Sequence, residues 1–126
     1  MLIWFMDKRF RDSIYRKIVE SHIENEPARK AVPVAEYLYH VHKTAGLPNV
    51  FRQGMIWKGM RENNIPFYYG ENNDVLMGFK GPDERVAEEF DCLGIGLEVL
   101  DHLGWVNACD VFKVALSKKG VERIEE

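Results

Sequence analysis

The chain has 126 residues, 46% of them hydrophobic, and a formal net charge of −3. This length suffices for one hydrophobic core and argues against two independently folding domains. No apolar run reaches the roughly 18 to 20 residues that a membrane-spanning helix needs, and residues 1–6 are too short and lack the basic flank of a signal peptide. We therefore expect a soluble cytoplasmic protein.

The charge is divided unevenly along the chain. Residues 1–64 hold 11 Lys and Arg against 7 Asp and Glu, a balance of +4, whereas residues 65–126 hold 6 against 13, a balance of −7. Clustered positive charge creates a local field that attracts polyanions. The asymmetry therefore indicates a leading half that binds a polyanion, although solvated surface charge without a partner would give the same balance.

Two amphipathic helices are predicted before residue 45. In residues 7–25 the apolar side chains recur at three- and four-residue intervals, as one helix face requires; they are Phe10, Ile14, Ile18, Val19 and Ile23. Residues 25–33 interrupt this periodicity, and Pro33 suits the first turn of a second helix because its missing N–H would be unpaired there. That helix should run to about Thr44.

A third helix is predicted over residues 50–62, after a turn in the sequence AGLPN at 45–49. Its inner side should carry Val50, Ile56, Trp57 and Met60. Two glycines inside it each cost roughly 1 kcal/mol relative to alanine, so tertiary packing has to hold this helix.

The second half is predicted to begin with a β-hairpin and continue as a helix. The apolar and aromatic runs 65–70 and 75–79 flank a polar tip at 71–74, as in a hairpin. A helix then starts at 81–83, with Val86, Phe90, Leu93, Leu97 and Leu100 in a heptad-like seam.

We expect Gly94 and Gly96 to divide this helix or kink it near Gly94. A turn at 107–110, a strand at 111–116 and a short helix capped by Ser117 complete an α+β fold.

The segment WKGMRENNIPFYYGENNDVLMGF, residues 57–79, resembles the end of the recognition helix and the wing of the winged helix-turn-helix superfamily. That superfamily includes the amino-terminal DNA-binding domain of biotin-ligase repressors. Asn64-Ile65-Pro66 matches the step into the wing, and Phe79 matches the aromatic residue that closes its second strand. The resemblance implies a winged-helix unit at 1–81, with 82–126 as an accessory or dimerising segment on the same core.

The sequence also allows a second register, that is, a second assignment of the winged-helix elements to this chain. Residues 115–124, ALSKKGVERI, resemble the strand-to-helix exit that follows the wing in many winged-helix regulators. In that register the recognition helix is the stretch 84–103. We prefer the first register because six acids in this stretch would repel phosphate; they are Glu84, Glu88, Glu89, Asp91, Glu98 and Asp101.

In the preferred register the third helix enters the DNA major groove. The residues then predicted to contact DNA are Asn49, Arg52, Lys58 and Arg61, with Arg16 and Lys17 of the first helix as additional phosphate contacts. The wing tip at 71–74 is acidic, so no wing contact is expected. The seam from Val86 to Leu100 is the predicted dimerisation surface, so that two copies read a symmetric site.

The sequence contains no recognisable catalytic, metal or cofactor motif. His40 and His42 point about 200° apart on a helix and cannot share a metal ion. Cys92, His102 and Cys109 lack the spacing of a zinc site, and the two cysteines are expected to be buried thiols, although their spacing leaves a single bridge open. The two glycines at 94 and 96 lack the remainder of a dinucleotide-binding fingerprint.

The predicted function is therefore binding of double-stranded DNA, as a small dimeric transcriptional regulator without enzymatic activity, metal or cofactor. The alternative is a protein-interaction module, an inhibitor or adaptor on a winged-helix scaffold. In that case the acidic second half of the chain would engage a basic partner.

Overall fold

The computed structural model describes residues 8–45, 50–70, 82–108 and 113–126. These ranges contain five helices and one three-stranded antiparallel sheet, so the α+β prediction is confirmed. The helices are α1 (Lys8–Glu20), α2 (Asn25–Ala45), α3 (Gln53–Glu62), α4 (Pro82–His102) and α5 (Lys118–Glu125). The strands are β1 (Val50–Arg52), β2 (Val106–Ala108) and β3 (Lys113–Leu116). Within these ranges, no helix combines the length and the hydropathy that a transmembrane span requires.

The sheet has β3 at its centre, with β1 on one side and β2 on the other. Phe51 of β1 lies opposite Val114, and Asn107 of β2 lies opposite Ala115. Asn107 is thus in a strand and not in the predicted turn. Along the chain, helices α2, α3 and α4 come before the antiparallel pair β2–β3, and strand β1 lies between α2 and α3. In the sheet, β1 pairs with β3.

Helix α1 buries the face that its periodicity predicts. Ile14 and Ile18 are fully buried, and Phe10 and Val19 are partly buried against the same core. Buried residues from both sides of position 81 belong to this one hydrophobic cluster. The core is therefore shared by the two segments that the sequence distinguishes.

Helix α2 begins at Asn25 and continues through Pro33, so the prediction of a break over 25–33 is wrong. A proline inside a helix removes the hydrogen bond to the carbonyl group four residues earlier. That carbonyl group belongs to Arg29, and it accepts a hydrogen bond of 2.9 Å from the backbone N–H of Tyr69. A donor from outside the helix thus replaces the bond that proline removes.

Helix α4 is continuous from Pro82 to His102, so the predicted break near Gly94 is wrong. A Cβ atom at Gly96 would lie 2.5 Å from the carbonyl oxygen of Lys30 in α2, whereas a Cβ atom at Gly94 would meet nothing within 4 Å. Gly96 therefore permits α2 and α4 to approach closely, and this packing outweighs its low helix propensity.

The heptad-like seam of α4 packs inside the chain. Leu93, Leu97 and Leu100 are buried in the hydrophobic core, and the ring of Phe90 stacks on Trp57 with a centroid distance of 5.1 Å. Of the five seam residues, only Val86 is not part of this internal packing, and it is half-buried. The prediction that these leucines face a second copy is therefore corrected, and a homodimer stays a prediction that needs another surface.

Two predictions between residues 50 and 70 are also corrected. Residues 50–52 are strand β1 and not the first turn of the third helix, because they pair with β3 more than sixty residues later. Residues 65–70, predicted as the first strand of a hairpin, form neither helix nor strand, and Ile65, Phe67 and Tyr68 are buried. The remainder of that hairpin, 71–79, and the turn residues 46–49 lie outside the described residues.

The predicted cap of the last helix is confirmed at Ser117. Its hydroxyl group accepts a 2.9 Å hydrogen bond from the N–H of Gly120 and donates a 2.6 Å bond to the carbonyl oxygen of Gly104. The backbone N–H of Ser117 also donates to the carbonyl oxygen of Trp105, whose side chain is fully buried. These bonds fix α5 against the end of α4 and the start of β2.

Candidate functional site

The six residues predicted to contact DNA have different surroundings. Asn49 lies outside the described residues. Arg52 is exposed at the end of β1, Lys58 is exposed on α3 with its Nζ 3.9 Å from Glu62, and Arg16 is exposed on α1 with its Nε 4.0 Å from Glu20. These three side chains remain accessible to a ligand, because exposed ion pairs of this kind contribute little free energy.

Lys17 is not a surface residue. Its side chain is buried, with 7% residual exposure, and its Nζ donates hydrogen bonds of 3.1 Å and 2.7 Å to the carbonyl oxygens of Ile124 and Glu126. The burial lowers the pKa of the ammonium group. A cation stabilises a helix C-terminus, so Lys17 fastens α1 to the end of α5. The prediction that it contacts phosphate is wrong.

Arg61 is engaged with a buried carboxylate. Its Nη1 donates a 2.9 Å hydrogen bond to Oε1 of Glu89, which is only 3% exposed. The guanidinium group of Arg61 also lies 5.6 Å from the centre of the Trp57 ring. Trp57 Nε1 also donates to Oε1 of Glu89, and Arg85 pairs with the other oxygen. Glu89 thus joins α3 to α4, and Arg61 takes part in this joint although 41% of its side chain is exposed.

The outer face of α4 is acidic. At 100° per residue its five exposed carboxylates fall within an arc of about 100° and extend along about 27 Å of helix; they are Asp83, Glu84, Asp91, Glu98 and Asp101. None of the five forms an ion pair within the described part of the chain. We call this set the acidic face.

A smaller basic feature lies on the sheet. Arg52 and Lys113 are directly opposite each other on β1 and β3, and both are exposed. Like charges at a cross-strand position repel each other unless an anion lies nearby. Arg52 is the last residue of β1, and Lys113 is the first residue of β3.

A cleft of about 640 Å³ lies between α1, α2 and residues 66–70. Its lining includes the cations Lys8, Arg11 and Arg29, the aromatic rings of Tyr15 and Tyr69, and the carboxyl group of Glu36. This volume is within the range of roughly 300 to 1,000 Å³ that is usual for small-molecule sites. We call it the α1–α2 cleft.

Glu36 is a buried carboxyl group in the cleft. It is 1% exposed, and its Oε2 accepts a 2.9 Å hydrogen bond from Nε of Arg11, but its Oε1 has no partner among the described residues. Desolvation by burial raises the pKa of this carboxyl group, and the hydrogen bond and charge of Arg11 only partly oppose that rise. A buried acceptor without a donor costs free energy.

Replacing Glu36 with glutamine should make stability less sensitive to rising pH. Because the folded pKa is raised, the folded state binds more protons than the unfolded state between the two pKa values, and stability falls as pH rises through that window. Glutamine cannot ionise. The unfolding free energy of Glu36→Gln relative to wild type should therefore increase as the pH rises above the ordinary glutamate pKa of 4.5, measured by urea denaturation.

Glu24→Gln provides the control, because Glu24 is an exposed carboxylate elsewhere on the surface. It reports the effect of removing one negative charge without burial. A stability difference for Glu36→Gln that shrinks between pH 5 and pH 7.5, or that matches the control, would show that burial does not penalise the Glu36 carboxylate.

The cysteine and histidine residues do not assemble a metal site in the described ranges. Cys92 is a free, buried thiol whose pKa burial raises, in agreement with the prediction for this residue. His40 and His42 are half-buried, and burial lowers the pKa of His40. No group of three or more His, Cys, Asp or Glu residues suited to a metal occurs among the residues described. Cys109 lies outside them.

Sequence reasoning missed the α1–α2 cleft. Its residues come from three separate stretches, and only one local signal indicates it: Glu36 is the single charged residue in the otherwise apolar run AVPVAEYL, residues 31–38. An isolated acid on the buried face of a helix rarely lacks a specific partner, since burying a charge is costly.

Comparison of the chain with protein family models, with curated proteins and with solved structures found no match. The function is therefore inferred from the residues of this chain.

Proposed function

We propose that the protein is a winged-helix-like binding module that engages a basic surface of a partner protein through the acidic face of α4. The observation that carries this proposal is the row of exposed carboxylates on one side of α4 that have no ion-pair partner among the described residues. The other side of α4 is built into the core. A helix fixed in this way presents its charges on a rigid support, which reduces the entropy lost on binding.

The order of elements supports the winged-helix description in its second register. Three helices, α2, α3 and α4, are followed by the pair β2–β3, and α4 then occupies the position of a recognition helix. A recognition helix that carries this acidic face repels DNA phosphates. The same face attracts Lys- and Arg-rich protein surfaces, where complementary charge speeds association and selects the partner.

The row of like charges also supports binding by its own energetics. Exposed carboxylates three residues apart, as Glu98 and Asp101 are, lie next to each other on a helix and repel each other. A basic partner relieves this repulsion. Because the charges are exposed, the attraction should weaken as salt screens it over a Debye length of about 8 Å at physiological ionic strength.

Reversing two charges of the acidic face tests the proposal. We expect the double variant Asp91→Lys, Glu98→Lys to lose at least tenfold in affinity for a partner protein that the wild type captures from cell extract, because the attraction becomes repulsion. The partner is first identified by mass spectrometry and purified. Its affinity for each variant is then measured by fluorescence anisotropy at low and at physiological salt.

The control is Glu20→Lys, Glu24→Lys, which reverses two exposed acids outside α4. It changes the net charge equally and should leave the affinity within about twofold of wild type, since the substituted positions lie away from the contact. The proposal fails if no protein is captured, or if the α4 variant and the control bind the partner equally.

DNA binding is the second candidate, and the exposed cations Arg52 on β1 and Lys58 on α3 favour it. These cations could lie along a phosphate backbone in the manner of a small transcriptional regulator. Titration of the chain with a random duplex distinguishes the two functions. Affinity that falls steeply with salt and is lost in Arg52→Glu or Lys58→Glu would select DNA over a basic protein.

A further inference from the structure

We propose that the α1–α2 cleft binds a small organic anion that has a planar ring. This site is separate from the acidic face, because its lining comes from α1, α2 and residues 66–70 and includes no residue of α4. The protein would then bind a small molecule in addition to its macromolecular partner.

Among the described residues that line the cleft, positive charge exceeds what the carboxylates neutralise. Three cations, Lys8, Arg11 and Arg29, line it with two acids, Asp12 and Glu36, which leaves one positive charge when both acids are ionised. Both acids already have partners in the chain: Asp12 accepts from the hydroxyl group of Tyr69, and Glu36 accepts from Arg11. The remaining positive charge is therefore available to a ligand.

Several donors of these cations have no acceptor in the part of the chain that the structure describes. Arg11 uses its Nε for Glu36, and its two terminal nitrogens form no hydrogen bond within the residues that the structure describes; the same holds for Nζ of Lys8. Arg29 donates through Nη1 to the carbonyl oxygen of Tyr69 at 3.0 Å. A carboxylate or phosphate group would accept hydrogen bonds from such donors, and charged pairs of this type are the strong ones.

The wall of the cleft suits a planar group. The rings of Tyr15 and Tyr69 lie 5.2 Å apart, and the guanidinium of Arg29 lies 5.2 Å from the centre of the Tyr15 ring. Hydrogen bonds hold both tyrosines, from Tyr15 to Asn25 and from Tyr69 to Asp12. Fixed aromatic and guanidinium planes favour stacking with a ligand ring, and their order before binding limits the entropy cost.

Glu36 favours those ring-containing anions that also carry a hydrogen-bond donor. Its Oε1 is a buried acceptor without a donor in the described chain. A hydroxyl or amino group on the ligand ring would supply that donor and remove the cost of an unsatisfied group. The favoured ligand thus combines an anionic group, a planar ring and a ring-bound hydrogen-bond donor.

Isothermal titration calorimetry with two matched pairs of probes tests the proposal. Adenosine 5′-monophosphate is compared with adenosine, and 4-hydroxybenzoate with 4-hydroxybenzamide, so that each pair differs in the anionic group. We expect at least one anion to bind saturably with a Kd below about 1 mM and at least tenfold more tightly than its neutral analogue. Binding of the nucleotide alone assigns the anion as phosphate, and binding of the benzoate alone assigns it as carboxylate.

The variant Lys8→Gln should weaken binding of that anion at least fivefold, because it removes an exposed cation of the cleft without disturbing buried packing. Arg16→Gln is the matched control, since Arg16 is an exposed cation on the same helix outside the cleft, and it should bind like wild type. The Asp91→Lys, Glu98→Lys variant should also bind the probe normally, which separates this site from the proposed protein interaction.

Three results would overturn the proposal: neither anion binds saturably, the neutral analogues bind as tightly as the anions, or Lys8→Gln and Arg16→Gln behave alike. None of these results bears on the acidic face of α4, because the two experiments probe different residues.

Discussion

Replacing Gly96 with valine is expected to lower the free energy of unfolding by about 3 kcal/mol. A side chain at this position has no space, because its Cβ would lie 2.5 Å from the carbonyl oxygen of Lys30 and 3.1 Å from Cγ2 of Val34. The nearest atom belongs to the backbone of α2 and cannot rotate away. Helices α2 and α4 would have to separate, and the leucines of the α4 core face would lose their packing.

Gly94→Ala is the matched control on the same helix. Nothing lies within 4 Å of its added Cβ, so alanine should raise the unfolding free energy by about 0.5 to 1 kcal/mol through its better helix propensity. Chemical denaturation of both variants measures these changes. Equal destabilisation by the two substitutions would mean that something other than the contact between α2 and α4 limits this helix.

Lys17→Met should cost about 2 kcal/mol of stability, because two carbonyl oxygens at the end of α5 lose their charged donor. The neighbouring substitution Arg16→Met should change stability by less than about 0.5 kcal/mol, since Arg16 is exposed and its ion pair is weak. Both measurements use denaturation with urea under the same conditions.

This comparison separates a structural from a DNA-binding role for Lys17. If Lys17 contacted phosphate, Lys17→Met would leave stability near that of wild type and would reduce DNA affinity. If it fastens α1 to α5, the loss appears in stability with no nucleic acid present. A Lys17→Met variant as stable as Arg16→Met would contradict the buried position of this side chain.

Local periodicity predicted the helices well. The inward face of α1, the helical content of 53–62 and 82–102, and the cap at Ser117 all follow from residue spacing and capping chemistry. Local periodicity gave wrong predictions where a contact with a distant segment determines the local structure. Residues 50–52 are a strand because β3 pairs with them, and Pro33 is tolerated because Tyr69 supplies a donor.

The candidate sites were less predictable than the fold. Lys17 and Arg61 are ordinary cations in the sequence, and their partners, Ile124 and Glu89, lie 107 and 28 residues away. The acidic character of α4 could be read directly from the sequence, because its acidic residues recur within the one stretch 84–103. The α1–α2 cleft was not visible, since three separate segments have to meet before its cations and rings surround one space.

The proline inside α2 has a consequence for how mutations would propagate. In a helix interior each carbonyl group normally accepts a hydrogen bond from the amide four residues later, so few carbonyl groups there are left to anchor a neighbouring loop. With Pro33 in place, the carbonyl oxygen of Arg29 becomes an anchoring point for the amide of Tyr69. An amide outside every helix and strand should therefore exchange its hydrogen with solvent as slowly as a helical one. A substitution at position 33 would release it, so that its effect is felt thirty-six residues further along the chain.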